Sequence, residues 1–107
     1  MAARHVVVLV TCPTRRVGVR IAEGVVQQKL AACVNLIPGL TSIFVWQGKR
    51  ERCQEVLLVI KTTARRFRAL ERAVRAAHPY TVPEIIALPI LAGHRPYLRW
   101  IGQSTAP

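Results

Sequence analysis

Apolar residues follow two rhythms along this chain, continuous runs and a recurrence every three or four positions, and the two alternate. Residues 6 to 12 form a continuous, mostly β-branched run, the pattern of a strand covered on both faces. After Pro13-Thr14 the rhythm changes. Val17, Ile21, Ala22, Val25, Val26 and Leu30 recur at three and four, with Arg16, Arg20, Glu23, Gln27 and Gln28 opposite, which predicts a helix with one buried stripe. Gly18 and Gly24 each weaken that helix by about 1 kcal/mol relative to alanine, so tertiary packing has to hold it.

Cys33-Val34-Asn35-Leu36-Ile37 reads as a short strand that stops at Pro38-Gly39, a dipeptide suited to the centre of a type II turn. Residues 41–47 read as a third strand, with Ile43 and Val45 alternating with Ser42, Phe44 and Trp46. Gly48-Lys49 turns the chain into a fourth strand, residues 53–61, whose Val56-Leu57-Leu58-Val59-Ile60 centre is too apolar to have a wet face. Thr62 or Thr63 can cap a second helix, in which Phe67, Leu70, Val74 and Ala77 share one side and Glu71 can pair with Arg75. Pro79 ends it near His78. Residues 81–83 link to a fifth strand at 84–90, placed at an edge or bulge by Pro89. Pro96 opens a short final helix carrying Tyr97, Leu98, Trp100 and Ile101.

The order contains two strand-helix-strand units joined by a hairpin. Two right-handed crossovers so joined give a split βαβ, an α/β (α+β) ferredoxin-like sandwich. The helices can cover only one sheet face, yet the strands read apolar on both. The second face is therefore expected to bury itself against other copies of the chain.

At 107 residues, without an internal linker, one domain spanning 1–107 is expected. The longest apolar runs fall far short of a membrane span of roughly 18 residues, so no membrane segment is expected. Met1-Ala-Ala-Arg4-His5 ahead of Val6 to Val10 has the outline of a signal peptide, but the run is too short and ends at Thr11-Cys12-Pro13. Three cysteines without a C-x-x-C pair fit a reducing cytoplasm better than a disulfide framework or zinc knuckle.

The net charge is +11, from 16 Lys and Arg against five Glu and no Asp. Its clusters, Arg15-Arg16-Arg20, Lys49-Arg50-Arg52 and Arg65-Arg66-Arg68-Arg72-Arg75, do not alternate with aromatic stacking platforms; the one aromatic among them, Phe67, falls on the apolar side of its helix. Solvated helix faces are favoured over a nucleic-acid surface. Nucleophile elbow, P-loop, dinucleotide fingerprint and zinc-protease helix are all missing from the sequence, so no enzymatic activity is expected.

Leu30-Ala-Ala-Cys-Val-Asn-Leu-Ile-Pro-Gly39, Ser42 through Trp46-Gln-Gly-Lys49, Lys61-Thr62, His78-Pro-Tyr80, Val82-Pro-Glu84 and Tyr97-Leu-Arg-Trp100 occur in one order and spacing. Together they resemble the CutA family of divalent-cation tolerance proteins, from about Val6 to Thr105. The resemblance implies a ferredoxin-like protomer and a homotrimer in which long strands extend neighbouring sheets. It also implies a loose relation to the PII signalling trimers, a role in tolerance to copper and other divalent cations, and no accepted catalytic reaction or required cofactor.

His78 is the first candidate metal ligand, since a neutral imidazole suits copper or zinc. The family resemblance ties copper to a first-strand cysteine where this chain has Val10; Cys12 lies two residues on, on the same strand face. Some relatives carry two consecutive histidines where this chain has Ala77-His78. Lys61, Glu84, Trp46, Tyr80, Tyr97 and Trp100 are the other polar or aromatic residues of the motifs and together are the residues expected around a ligand cleft. Lys61 and Glu84 suggest an ion pair across a sheet end. Alternatively, Lys61 and His78 supply positive charge to an anion-binding cleft walled by Tyr80 and Trp46. The aromatics equally suit a subunit interface. The expected function is a trimeric protein binding a divalent metal or small ligand weakly; the alternative is a scaffold presenting its basic helices to a protein partner.

Overall fold

The computed structural model describes residues 3–107; Met1 and Ala2, at the head of the signal-peptide-like stretch, lie outside the described residues. Four strands and three helices follow in the order β1 (His5–Cys12), α1 (Arg15–Gln27), β2 (Cys33–Trp46), β3 (Lys49–Thr63), α2 (Phe67–Ala77), β4 (Ile85–Pro89) and α3 (Arg95–Ser104). The sheet order is β2-β3-β1-β4. Every neighbouring pair is antiparallel, so each helix-bearing crossover returns to a strand parallel to the one it left and not adjacent to it. That is the split βαβ of the ferredoxin-like class.

Thr14 is the N-cap of α1, its Oγ1 accepting the Val17 N–H at 3.2 Å. The helix buries Gly18, Ile21, Ala22 and Val25. It ends at Gln27, three residues before the expected Leu30, because Lys29 turns left-handed at φ 60° and the Leu30 N–H returns to the Val25 carbonyl at 2.9 Å. On β1 and β3, Val6, Val8, Val10, Cys12, Val56, Leu58 and Ile60 meet Ile21 and Val25 of α1 and Leu70 and Val74 of α2 in one core.

The two expected strands 33–37 and 41–47 are one strand, so the sheet has four strands rather than five. Pro38-Gly39 is a bulge instead of a turn: Ile37 pairs with Leu57 and Leu40 with Glu55, leaving two residues opposite Val56. Proline lacks the N–H that an unpaired position does not need, and Gly39 takes φ 79° without a Cβ penalty. Beyond the bulge β2 and β3 continue to Trp46 and Lys49, an arm that stretches the molecule to 44 × 27 × 23 Å.

Neither Thr62 nor Thr63 caps α2. Strand β3 runs through both and a 3-10 turn at Ala64–Arg66 intervenes. Thr62 Oγ1 instead donates to the Leu30 carbonyl at 2.7 Å in the core. Glu71 pairs with Arg68 at 3.0 Å rather than with Arg75, a surface contact contributing little. β4 pairs only with β1 and is the expected edge, and Pro96 sits in the first turn of α3. Among the described residues no helix is long and apolar enough to cross a membrane.

Candidate functional site

Opposite the helices, cross-strand pairing lines up Asn35, Val59, Leu9 and Ile86 in one row, with Cys33, Lys61, Val7 and Leu88 beside it. Ile37, Ile86 and Leu88 are exposed on this face. The second apolar face expected from the strand composition is therefore present in the folded chain.

At the end of β1 the 78–84 segment approaches the base of the β2–β3 arm, and between them lies a cleft of about 750 Å³. Proline at position 79 holds His78 extended at φ −88° and ψ 136°, which stops α2. The buried His78 ring is held at both nitrogens. Nδ1 accepts the Tyr80 backbone N–H at 3.1 Å and Nε2 lies 2.8 Å from the Thr11 carbonyl oxygen. The carbonyl can only accept, so Nε2 carries the proton.

Tyr80, 4.7 Å from the His78 ring centroid to centroid, donates its hydroxyl to Glu55 Oε2 at 2.8 Å. Glu55 is 6% exposed. Burial, the hydrogen bond to Glu55 and then its charge push the Tyr80 hydroxyl well above the ordinary tyrosine range, so it remains a donor at any physiological pH. Trp46 and Phe44 from the arm form walls, and Glu51 and Glu84 stand at the rim. Replacing Tyr80 by Phe should destabilise the fold by about 1–3 kcal/mol, because Glu55 stays buried without its donor; urea denaturation of Y80F against the parent measures it.

Of the six residues expected around one ligand cleft, Trp46, Tyr80 and Glu84 line this one and Lys61, Tyr97 and Trp100 do not. The expected Lys61–Glu84 ion pair does not form. β3 and β4 are both antiparallel to β1, hence parallel to each other, so the end of one and the start of the other lie at opposite ends of the sheet. Lys61 pairs with Val7, while Glu84 precedes Ile85, the partner of Val10, a separation of about four residues or 13 Å along the strands. Lys61 Nζ donates to Asn35 Oδ1 instead. Tyr97 and Trp100 stack on α3 with centroids 5.5 Å apart. Tyr97 does not line the cleft, and burial, then the nearby Cys33, raise its hydroxyl above the ordinary tyrosine range.

Cys12 lies in the core with no exposure, on the same face as Val10. Burial, then the Glu55 charge, push its thiol from 9.0 up to about 11, which leaves on the order of one thiol in ten thousand ionised at neutral pH. Among the described residues no three His, Cys, Asp or Glu side chains group to hold a metal ion. The unfolded thiol ionises near 9 and the folded one near 11, so its contribution is full below pH 9 and lost as pH rises through 11. Between pH 8 and pH 11 the parent chain should lose about 2–3 kcal/mol more than Cys12→Ala. Urea denaturation at the two pH values reads the difference directly; equal losses would mean the thiol is not desolvated.

Glu55 is the site residue that sequence reasoning missed. Its signal was a lone carboxylate heading the apolar Val56–Ile60 run, where a buried charge needs a partner.

A β2-β3-β1-β4 sheet with its crossover helices on one face, and a tyrosine–carboxylate cleft at the end of β1, define a ferredoxin-like domain with a preformed pocket. The chain belongs to the CutA1 divalent ion tolerance protein family, whose pattern it matches over residues 6–104. It is 54% identical over 99 residues to the divalent-cation tolerance protein CutA of Thermus thermophilus, covering 92% of this chain and 96% of that protein. The human protein CutA is 53% identical over 96 residues, 90% of this chain, which spans only 54% of the human protein. A solved structure of the Thermus thermophilus protein superposes with a TM-score of 0.94 at 52% identity, covering 95% of this chain and 99% of that one.

Proposed function

We propose that this chain serves divalent-cation tolerance as a homotrimeric binding protein without catalysis, and that the cleft between Tyr80 and the β2–β3 arm is its ligand site. The observation that carries the binding reading is Glu55, a carboxylate buried at 6% exposure, steadied by Tyr80 and opening onto a cleft of about 750 Å³. Pockets of this size with few convergent polar groups are the usual form of small-molecule sites. Assembly is supported by surface area. A folded monomer of 11.9 kDa exposes about 5,900 Å², whereas this chain exposes 7160 Å². Free Cys12, Cys33 and Cys53 support a reducing compartment such as the cytoplasm.

Copper or another divalent metal at His78 and Cys12 is the costlier form of the reading. The imidazole would have to release the Tyr80 amide or the Thr11 carbonyl, and the buried thiol would have to ionise; both costs make such a site weak. The test uses light scattering and a titration with copper and zinc of the Trp100→Phe chain, in which Trp46 is the sole tryptophan. A trimer whose Trp46 emission saturates with metal, or whose calorimetric binding is lost in Cys12→Ser or His78→Ala, supports metal binding and places it. Absence of saturation with these metals and with charged small molecules would overturn the binding reading and leave assembly as the protein's property.

A further inference from the structure

The cleft has a composition opposite to that of the chain around it. Sixteen Lys and Arg face only five Glu in the sequence, yet three of those five, Glu51, Glu55 and Glu84, line this cleft and no basic residue does. Glu55 is 94% buried by residue exposure; one carboxylate oxygen accepts from Tyr80, and among the described residues the other has no hydrogen-bond partner. Among the described residues no buried side-chain oxygen lacks a partner, so this second oxygen is open to the cleft, where water or a donor on an entering molecule can meet it.

The carboxylates do not converge: among the described residues no three acidic, His or Cys side chains could hold one metal ion. Spread acidic groups suit charges carried on separate ends of one molecule. Trp46, Phe44 and Tyr80 supply aromatic faces between them, and such faces attract cations as well as apolar chains.

Resting on the cleft reading above, we infer that its ligand class is an organic cation, an alkyl ammonium or guanidinium with a short apolar body. The charged head donates to the free oxygen of Glu55 while the body packs on Trp46, and a second positive group can reach the rim at Glu51 or Glu84. Selection against anions follows from the three carboxylates, and selection against bare divalent ions from their spacing.

The probe is agmatine, with ammonium and guanidinium ends, titrated into the Trp100→Phe protein by calorimetry and Trp46 emission; 1,4-butanediol is the uncharged control. Saturable agmatine binding is expected, weakened several-fold between 50 and 300 mM salt, at least tenfold in Glu55→Gln and in Trp46→Ala, with no response to butanediol. Light scattering and far-UV circular dichroism confirm that both variants keep the parent's assembly and fold; should Glu55→Gln not fold, Trp46→Ala carries the comparison. Binding of agmatine unchanged in the folded variants overturns the assignment to this cleft. Failure of agmatine with saturable response to a metal or an anion such as citrate overturns the organic-cation class and keeps the cleft as a site. Failure of every probe overturns both.

Discussion

Glutamate in place of Ile86 is expected to convert the proposed trimer into monomers, read by light scattering beside the parent chain at the same concentration. Ile86 is 49% exposed on the edge strand β4, so the isolated fold should tolerate the change. Its row, Val59–Leu9–Ile86, and the neighbouring Val7–Leu88 pair are apolar across three strands. If copies of this face meet around a threefold axis, each brings one carboxylate into a desolvated surface. Lys61, the one base in these rows, is already held by Asn35. An unpaired buried charge costs about 3–5 kcal/mol, incurred once per protomer, which is enough to reverse assembly in the micromolar range. Ile86→Val serves as the control and should assemble as the parent chain does. A trimer retained by Ile86→Glu would show that the oligomer uses another surface.

What could be read in the sequence, and what could not, divides by the range of the information needed. β1 and α1 were legible because each carries its own periodicity: of the expected stripe Val17, Ile21, Ala22, Val25 and Leu30 pack inward, while Val26 is exposed. Pro38-Gly39 was misread because a type II turn and a bulge ask for the same residues: a missing N–H and a left-handed φ. Only the cross-strand partner separates them, and here Val56 stands opposite both. Thr62 and Thr63 look like caps locally, but the Leu30 carbonyl that claims Thr62 comes from 32 residues away. Lys61 and Glu84 illustrate a different failure. The strand order that excludes their pairing followed from the split βαβ topology itself, since β3 and β4 run parallel on either side of β1.

The candidate site was half legible for the same reason. Trp46, Tyr80 and Glu84 come together because the arm and the 78–84 segment meet beside Thr11, whereas Tyr97 and Trp100 ride on a helix whose docking point no local signal fixes. That point is set by Ile101, fully buried, and by Thr105, whose hydroxyl donates to the Ile101 carbonyl and lies 3.4 Å from Thr63 Oγ1.

The largest stability loss from a single truncation in the core is expected at Leu58. It is fully buried at the centre of β3, paired with Val10 on one side and Leu36 on the other, and α1 crosses it at Gly18. Leu58→Ala should cost about 3–5 kcal/mol in guanidinium denaturation at fixed protomer concentration, as buried leucine truncations do where the surroundings cannot collapse. The glycine makes this prediction sharper. A Cβ at position 18 would stand 3.2 Å from the Cδ2 atoms of both Leu58 and Leu36, so Gly18→Ala in the parent chain sets a helix-propensity gain of about 1 kcal/mol against crowding. Once Leu58 is alanine, one of those two methyls is gone and the new methyl enters the space it left. Gly18→Ala should then recover about 1 kcal/mol, a coupling well above the scatter of independent sites. Strict additivity of the two substitutions would mean that the helix does not rest on the sheet through this glycine, and the packing of α1 described above would have to be abandoned.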